Sequence, residues 1–141
     1  GDSAGGNLAA VVSLMARDRG EFLPRTQMLL YPVTYNDHDP ATSYFDSVRE
    51  NGEDYLLSSR DIRGYMELYA SSPADLHRPY FAPLLESDLS REPRTLVVTA
   101  EYCPLRDEGE EYARRLKEAG NDMGLQIHVM HEDIFNSMHN I

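Results

Sequence analysis

The first six residues of the chain, GDSAGG, restrict the backbone more than any other segment. Glycines stand two positions before and two positions after Ser3, where a sharp turn leaves little room for a Cβ atom. Apolar residues then follow at the spacing of one helical face, at Leu8, Val11, Val12 and Met15. A serine on such a turn into a helix is typical of a nucleophile elbow, which exposes the hydroxyl for covalent catalysis.

The backbone that follows Ser3 predicts a second part of the same site. The N–H of Ala4, at the start of the predicted helix, points to where an oxyanion would form during acyl transfer. The helix dipole also favours negative charge at this end. We therefore expect Ser3 to be a nucleophile and Ala4 to contribute to an oxyanion hole.

Composition narrows the class of protein. The 141 residues, 41% hydrophobic and 26% charged, are enough for one domain with one core. A net charge of -11 disfavours nucleic acid and anionic membrane surfaces as partners. No apolar run reaches the length of a membrane span, and the histidines lack metal-ligand spacing. The single cysteine, Cys103, excludes an internal disulfide and favours a reducing compartment, so we predict a cytoplasmic location.

Helices and strands alternate along the rest of the chain. Apolar segments predict strands over residues 26–33, 95–99 and 125–130, and periodic segments predict helices after Ser58 and over residues 106–119. The helix after Ser58 has one face formed by Ile62, Tyr65, Met66 and Tyr69. Residues 35–51 show no period and are interpreted as a surface loop. This alternation favours a parallel sheet, with catalytic groups at the carboxyl ends of its strands.

Two separated blocks of sequence carry a family resemblance. GDSAGGNL at residues 1–8, together with TAEY at residues 99–102 and PLRDEG at residues 104–109, resembles the hormone-sensitive-lipase-like esterases and lipases of the α/β-hydrolase fold. The resemblance runs from residue 1 to roughly residue 130. It implies a carboxylic ester hydrolase that acts on a small-molecule ester through a serine acyl-enzyme. It also implies no metal and no organic cofactor.

The resemblance further predicts how the chain is organised. We expect residues 1–141 to be the C-terminal part of a longer protein, a partial α/β-hydrolase fold with a parallel sheet flanked by helices and truncated before the elbow. The leading strand and a His-Gly-Gly loop that completes the oxyanion hole would lie upstream, so the isolated chain should be a weak catalyst. Residues 35–75 should cover the site as a lid, with apolar contributions from Tyr44, Phe45, Tyr55, Leu56 and Leu57.

The acid of the catalytic triad is a first departure from the family pattern. The position before PLRDEG normally holds the acid, and here it is Cys103. A thiol with the usual pKa of about 8.5 cannot replace a carboxylate in orienting an imidazole. We expect Asp107 to supply the carboxylate, with Glu101 and Cys103 as alternatives. The competing interpretation of Asp107 is a helix-start carboxylate that offsets the dipole.

The base is a second departure. In the family, a His followed by Gly and an aromatic residue lies after the last strand, and no His-Gly pair occurs here. An ungapped comparison places Phe135 or Asn136 near that position. His139 needs a loop a few residues longer and is the expected base. His38 and His77 are interpreted as ordinary loop residues, and His128 as a residue on the outward face of the sheet. His131 lies too close to the strand end to swing freely.

The sequence leaves two other functions open. The departures at Cys103 and at the missing His-Gly pair are compatible with an inactive relative that serves as a binding module. An amidase or peptidase on the same fold is the other alternative. The sequence indicates neither acyl chain length nor oligomeric state.

Overall fold

Helices and strands alternate in the computed structural model, which describes residues 1–53 and 55–128. The helices are α1 (Ala4–Arg19), α2 (Asp46–Glu50), α3 (Ser59–Tyr69) and α4 (Arg106–Glu118). The strands are β1 (Thr26–Leu30), β2 (Arg94–Ala100) and β3 (Met123–His128). Two short 3-10 turns, Pro73–His77 and Pro83–Leu85, connect α3 to β2. No helix in the described ranges is long and apolar enough to cross a membrane.

The three strands form a parallel sheet in the order β1-β2-β3, which confirms the predicted α/β class. The residues before α1 extend this sheet on the free side of β1. Asp2 forms an isolated parallel bridge with Leu30, and the Leu30 N–H donates to the Gly1 carbonyl at 2.9 Å. Ser3 therefore stands at the carboxyl end of an extended segment, next to the end of β1.

β1 ends three residues earlier than the sequence predicts. The backbone of Tyr31 has φ 36, in the left-handed region, and Pro32 has no N–H to continue the ladder. The chain then turns across the end of the sheet, where the Val33 N–H donates to the Ser3 carbonyl at 3.3 Å. This turn brings the loop after β1 against Ser3.

The buried face of α1 differs from the predicted apolar face. Val11 is buried, but Leu8 and Val12 are each 50% exposed. At its start α1 lies close to the turn after β1, since a Cβ atom at Gly6 would lie 2.9 Å from the Cβ of Pro32. Smaller residues and one leucine of α1 face the core, whose fully buried members include Ala10, Leu14, Leu29, Val97 and Tyr112.

The helices after Ser58 and over residues 106–119 are confirmed. Ser58 accepts a hydrogen bond from the Asp61 N–H at 3.1 Å and returns one from its own N–H to Asp61 Oδ2 at 3.3 Å, which completes the capping box of α3. α4 ends at Glu118, and Gly120 follows with φ 91.

The interpretation of residues 35–51 as a surface loop is wrong. The segment includes α2, and its residues His38, Phe45 and Val48 are 1%, 6% and 0% exposed. The periodicity is absent because long-range polar contacts fix the segment. One example is the Ser47 N–H, which donates to Asp107 Oδ2 at 2.8 Å.

A buried carboxyl group lies on the far side of the core. The Glu92 side chain is 0% exposed, and among the described residues neither of its oxygens has a hydrogen-bond partner; Arg17 Nη1 is 3.5 Å from Oε1. Burial raises the pKa of Glu92 to about 7, and the charge of Arg17 only partly opposes this. The ionised form of Glu92 is therefore unfavourable in the folded chain.

We expect Glu92→Gln to stabilise the chain above pH 7. The native state holds the Glu92 proton more tightly than the unfolded state, so the stability of the natural chain falls as pH rises from 4.5 to about 7. This loss amounts to about 3 kcal/mol at 1.36 kcal/mol per pKa unit. Urea unfolding at pH 5, 6, 7 and 8 should show a flatter profile for the variant. The exposed control Glu21→Gln should keep the natural profile, and a flat profile in the natural chain would contradict the expectation.

Candidate active site

Ser3 has a strained backbone at the entry to α1. Its φ of 49 and ψ of -118 lie in a region that residues with a Cβ rarely adopt. Three hydrogen bonds hold it there. The Ser3 N–H donates to the Leu30 carbonyl at 2.9 Å, and the Ser3 carbonyl accepts from Asn7 and Val33. Within the described residues, the Ser3 hydroxyl makes no capping hydrogen bond to α1, although serine is a common cap.

Two glycines beside Ser3 are required by close backbone approach. A Cβ atom at Gly1 would lie 2.3 Å from the Gly5 carbonyl oxygen, and the clash at Gly6 is with Pro32. At Gly5, by contrast, a Cβ atom would meet only Asp2 Oδ1, at an ordinary 3.7 Å. The tight turn predicted from the motif is thus present, but the crowded positions are the first and the sixth.

The amide groups at the start of α1 can bind negative charge. Ala4 is the first residue of the helix, where backbone N–H groups have no intrahelical acceptor. The first turn of α1 contains no acidic side chain to offset the helix dipole. An oxyanion formed at Ser3 would therefore meet a favourable field and a nearby donor.

Ser3 opens into an apolar cavity of about 260 Å³. One wall is α1, with Ala4, Asn7 and Leu8, and the opposite wall is α3. The α3 side chains in this wall are those of the predicted helical face, Ile62, Tyr65, Met66 and Tyr69. Leu57, Val33 and Phe81 complete the lining. The serine hydroxyl thus lies beside a space suited to an apolar group of a small ligand.

Of the five apolar residues expected from the middle segment, only Leu57 lines this cavity. Phe45 is buried in the main core, and Tyr44 is 81% exposed. Tyr55 stacks on Tyr102 with ring centroids 5.7 Å apart. The α3 face was visible in the sequence as a helical stripe, but its position opposite Ser3 depends on the long connection between β1 and α3.

Asn7 joins α1 to two other residues of the cavity lining, Val33 and Phe81. Its Nδ2 donates to the Val33 carbonyl at 2.9 Å and to the Phe81 carbonyl at 2.8 Å, and the residue is only 6% exposed. Both hydrogens of the amide are therefore used. The contact fixes α1 relative to the loop after β1 and to the segment before Pro83–Leu85.

Cys103 lies in the turn after β2, at the same sheet edge as Ser3. It is 6% exposed, and burial raises the pKa of its thiol to about 11, against smaller opposing effects of the Leu105 N–H and Arg106. Cys103 is therefore a neutral thiol at neutral pH. It carries no negative charge that could stabilise an imidazolium.

Asp107 lies at the start of α4, and its carboxylate has two partners. Oδ2 accepts from the Ser47 N–H at 2.8 Å, and Oδ1 accepts from Arg106 Nε at 2.8 Å. The contact with Ser47 ties α4 to α2. Glu101 precedes this segment in the turn after β2, where its carbonyl accepts from Asn51 Nδ2 and Arg106 Nη1.

All three candidate acids follow β2, and the base candidates follow β3. The backbone of His128, the last residue of β3, is in register with Ala100 at the end of β2. His131 and His139 lie outside the described residues.

A buried ion pair that the sequence analysis missed lies next to the cavity. Glu108 Oε1 accepts from the Thr34 N–H at 2.6 Å and the Tyr35 N–H at 3.1 Å, and Oε2 is 2.6 Å from His38 Nε2. Both side chains are 0% exposed. The interpretation of His38 as an ordinary loop residue is therefore wrong. The sequence did contain one signal of this pair. Glu108 lies one helical turn before the core residue Tyr112, which places a carboxylate on the inner face of α4.

The environment of His38 favours the imidazolium. Burial lowers the pKa of His38, but the charge and hydrogen bond of Glu108 and the charge of Asp37 together outweigh burial, so the pKa is raised above 6.5.

Within the described ranges, no group of three or more His, Cys, Asp or Glu residues could hold a metal ion.

Comparison with known proteins agrees with this geometry. A family described by the alpha/beta hydrolase fold matches residues 1–133. The chain is 40% identical to an ethyl acetate hydrolase of Pseudomonas putida over 128 residues, and 43% identical to an arylesterase of Saccharolobus solfataricus over 121 residues. These matches cover 90% and 85% of this chain.

A solved structure of a fungal esterase from Rhizomucor miehei is also similar, with a TM-score of 0.84 and 40% identity over 91% of this chain. The chain spans 39% of that structure, 39% of the Pseudomonas putida relative and 38% of the Saccharolobus solfataricus relative. The similarity therefore concerns about two-fifths of each of these proteins.

Proposed function

Because this chain belongs to the α/β-hydrolase fold family, and to its hormone-sensitive-lipase-like esterases, we propose that it provides the nucleophile of a carboxylic ester hydrolase. The observation that carries the proposal is the strained Ser3 at the start of α1, facing an apolar cavity. Backbone strain of this kind is retained where function requires it. Relatives named as esterases support the ester as substrate.

The proposed reaction has two halves. Ser3 Oγ attacks the ester carbonyl carbon while a base takes its proton, and the Ala4 N–H stabilises the oxyanion of the tetrahedral intermediate. Collapse of this intermediate expels the alcohol, which leaves with the proton, and an acyl-enzyme remains. Water then attacks the acyl-enzyme and releases the carboxylic acid and free Ser3.

For the remaining triad members we propose Asp107 as the acid and His139 as the base. Each carboxylate oxygen of Asp107 accepts one hydrogen bond and retains a lone pair for an imidazole N–H. Cys103 is the weaker alternative because its thiol is neutral, and Glu101 is the other alternative.

Two further parts of the proposal concern regions around the cavity. Residues 35–75 would act as a lid, since α3 and Leu57 supply much of the cavity wall. An upstream His-Gly-Gly loop would add oxyanion donors to that of Ala4. A cytoplasmic location is also proposed, from the single cysteine in the sequence.

We expect the chain alone to hydrolyse p-nitrophenyl esters slowly. Joining Gly1 to the segment that precedes the matched region of the Pseudomonas putida relative should raise turnover about 100- to 1,000-fold, the typical effect of one oxyanion donor. An initial burst of p-nitrophenol, equal to the enzyme concentration, would report the acyl-enzyme. Equal rates for chain and fusion would contradict the need for upstream donors.

The same two proteins distinguish the alternative functions. A p-nitroanilide panel measured beside the ester panel identifies an amidase, because the leaving group then is an amine. A fusion that folds but neither hydrolyses esters or amides nor reacts with a fluorophosphonate would support the inactive binding module instead.

A further inference from the structure

The buried imidazole of His38 connects α4 to the wall of the cavity. On one side, Nε2 is 2.6 Å from Glu108 Oε2, and on the other, Nδ1 is 3.2 Å from Met66 Sδ. Met66 belongs to α3 and lines the cavity together with Ser3. His38 itself is 1% exposed and Met66 is 9% exposed, so the chain of contacts is shielded from solvent.

The two neighbours of the ring both accept hydrogen bonds. A carboxylate oxygen accepts at Nε2, and a thioether sulfur, which has no hydrogen to donate, lies at Nδ1. Only the imidazolium carries a hydrogen on each nitrogen. In the neutral form with the hydrogen on Nε2, the lone pair of Nδ1 would face the lone pairs of sulfur. The charged ring is therefore the form that satisfies both contacts.

The contact with sulfur restricts a side chain that is otherwise adaptable. Methionine is unbranched, has three rotatable bonds and repacks readily. A hydrogen bond at Sδ selects one arrangement of these bonds and so fixes the shape of the cavity wall beside Ser3. Glu108 is itself held by the Thr34 and Tyr35 amides, which gives His38 a rigid support.

We propose that His38 is a positioning residue that sets the specificity of the acyl pocket, by holding Met66 in place through an Nδ1–H hydrogen bond to Sδ. The inference rests on the proposed function, because it takes the cavity beside Ser3 as the pocket for the acyl group. His38 does not touch the reacting atoms. It acts on the apolar part of the substrate through Met66.

This arrangement makes ligand affinity depend on pH. Among the described residues, the charged groups that act on the imidazole are Glu108 from α4 and Asp37 from its own loop; α3 presents the uncharged Met66. As pH rises through the folded pKa of His38, above 6.5, the Nδ1 hydrogen is lost and Met66 is released. Affinity for apolar groups should then fall.

The test follows binding rather than hydrolysis, with 1-hexanol as the probe and with methyl-labelled methionine in the chain. We expect the ε-methyl signal of Met66, assigned by its absence in Met66→Leu, to titrate above pH 6.5. The dissociation constant for hexanol should rise about two- to tenfold over the same pH range. This is the typical cost of ordering one flexible side chain, here Met66, when the ligand binds.

The variants separate positioning from general structure. Met66→Leu keeps the apolar wall but removes the acceptor, so its hexanol affinity should no longer change with pH. Ile62→Leu changes a cavity residue that His38 does not contact, so its hexanol affinity should still fall as pH rises. His38→Gln should abolish the titration of the Met66 methyl. If His38→Gln fails to fold, the pH dependence of hexanol affinity in Met66→Leu, compared with that of the natural chain, still tests the inference.

A Met66 methyl that does not titrate between pH 5.5 and 9, or a pH step that survives in Met66→Leu, would overturn the inference. If ester hydrolysis is absent but hexanol affinity still depends on pH, the proposed function fails and this inference stands, because the hexanol measurement needs no catalysis.

Discussion

Ser3→Ala is expected to abolish stoichiometric labelling by a fluorophosphonate and to lower ester turnover about 10⁶-fold in the active fusion. The reagent forms its covalent bond with an activated serine oxygen, and the variant has no such atom. The strained backbone of Ser3 and the Ala4 N–H beside it would remain, since both are backbone features. Labelling is measured by intact-protein mass.

Exposed Ser71 supplies the matched control for this experiment. Ser71→Ala should label and turn over as the natural sequence does, because the residue lies outside the cavity. Both variants should keep the circular dichroism of the natural chain. Undiminished labelling of Ser3→Ala would remove the central proposal.

The second large effect is expected at Asp107, where this chain departs from its family. Asp107→Asn should lower turnover about 10,000-fold if Asp107 orients the imidazole, the cost known for a triad Asp replaced by its amide. Cys103→Ser should have a much smaller effect, since burial holds the pKa of the thiol near 11 and a neutral hydroxyl replaces a neutral thiol.

A structural contribution of Asp107 must be separated from catalysis, because its carboxylate also binds the Ser47 N–H and Arg106. Asp61→Asn is the control, since Asp61 is likewise a carboxylate near a helix start, in the capping box of α3. It should lower stability slightly and leave turnover nearly unchanged. Urea unfolding of each variant measures how much its free energy of unfolding has changed.

The ranking of variants decides the assignment of the acid. A greater loss in Cys103→Ser than in Asp107→Asn would make Cys103 the functional group, and a large loss confined to Glu101→Gln would move the role there. An increase in Cys103→Asp would show that a carboxylate at the family position improves the natural triad.

Local signals were enough to predict the secondary structure that surrounds Ser3. Gly1 of GDSAGG stands at a tight turn, the Ser58 capping box starts α3, and Gly120 follows the end of α4. The alternation of these elements predicted a parallel α/β sheet. Each of these features depends on residues a few positions apart, so a single segment contains the information.

The contacts that shape the site depend on residues far apart in the chain. His38 and Glu108 are 70 positions apart, and Asn7 reaches the carbonyl of Phe81 across 74. The sequence of residues 35–51 has no periodicity that would indicate such partners. A polar residue that is buried cannot be told from a polar loop residue until its partner is known. The exposure of Leu8 and Val12 likewise depended on which face of α1 packs against the core.

The sequence by itself therefore determined the nucleophile candidate, the order of elements and the family resemblance, since short motifs and helical or strand periods encode them. Tertiary structure alone decided that Cys103 is a buried neutral thiol, that Asp107 ties α4 to α2, and that His38 contacts Met66 in the cavity wall. Burial sets the charge of Cys103, and burial together with pairing to Glu108 sets that of His38; both effects arise only when distant segments pack together.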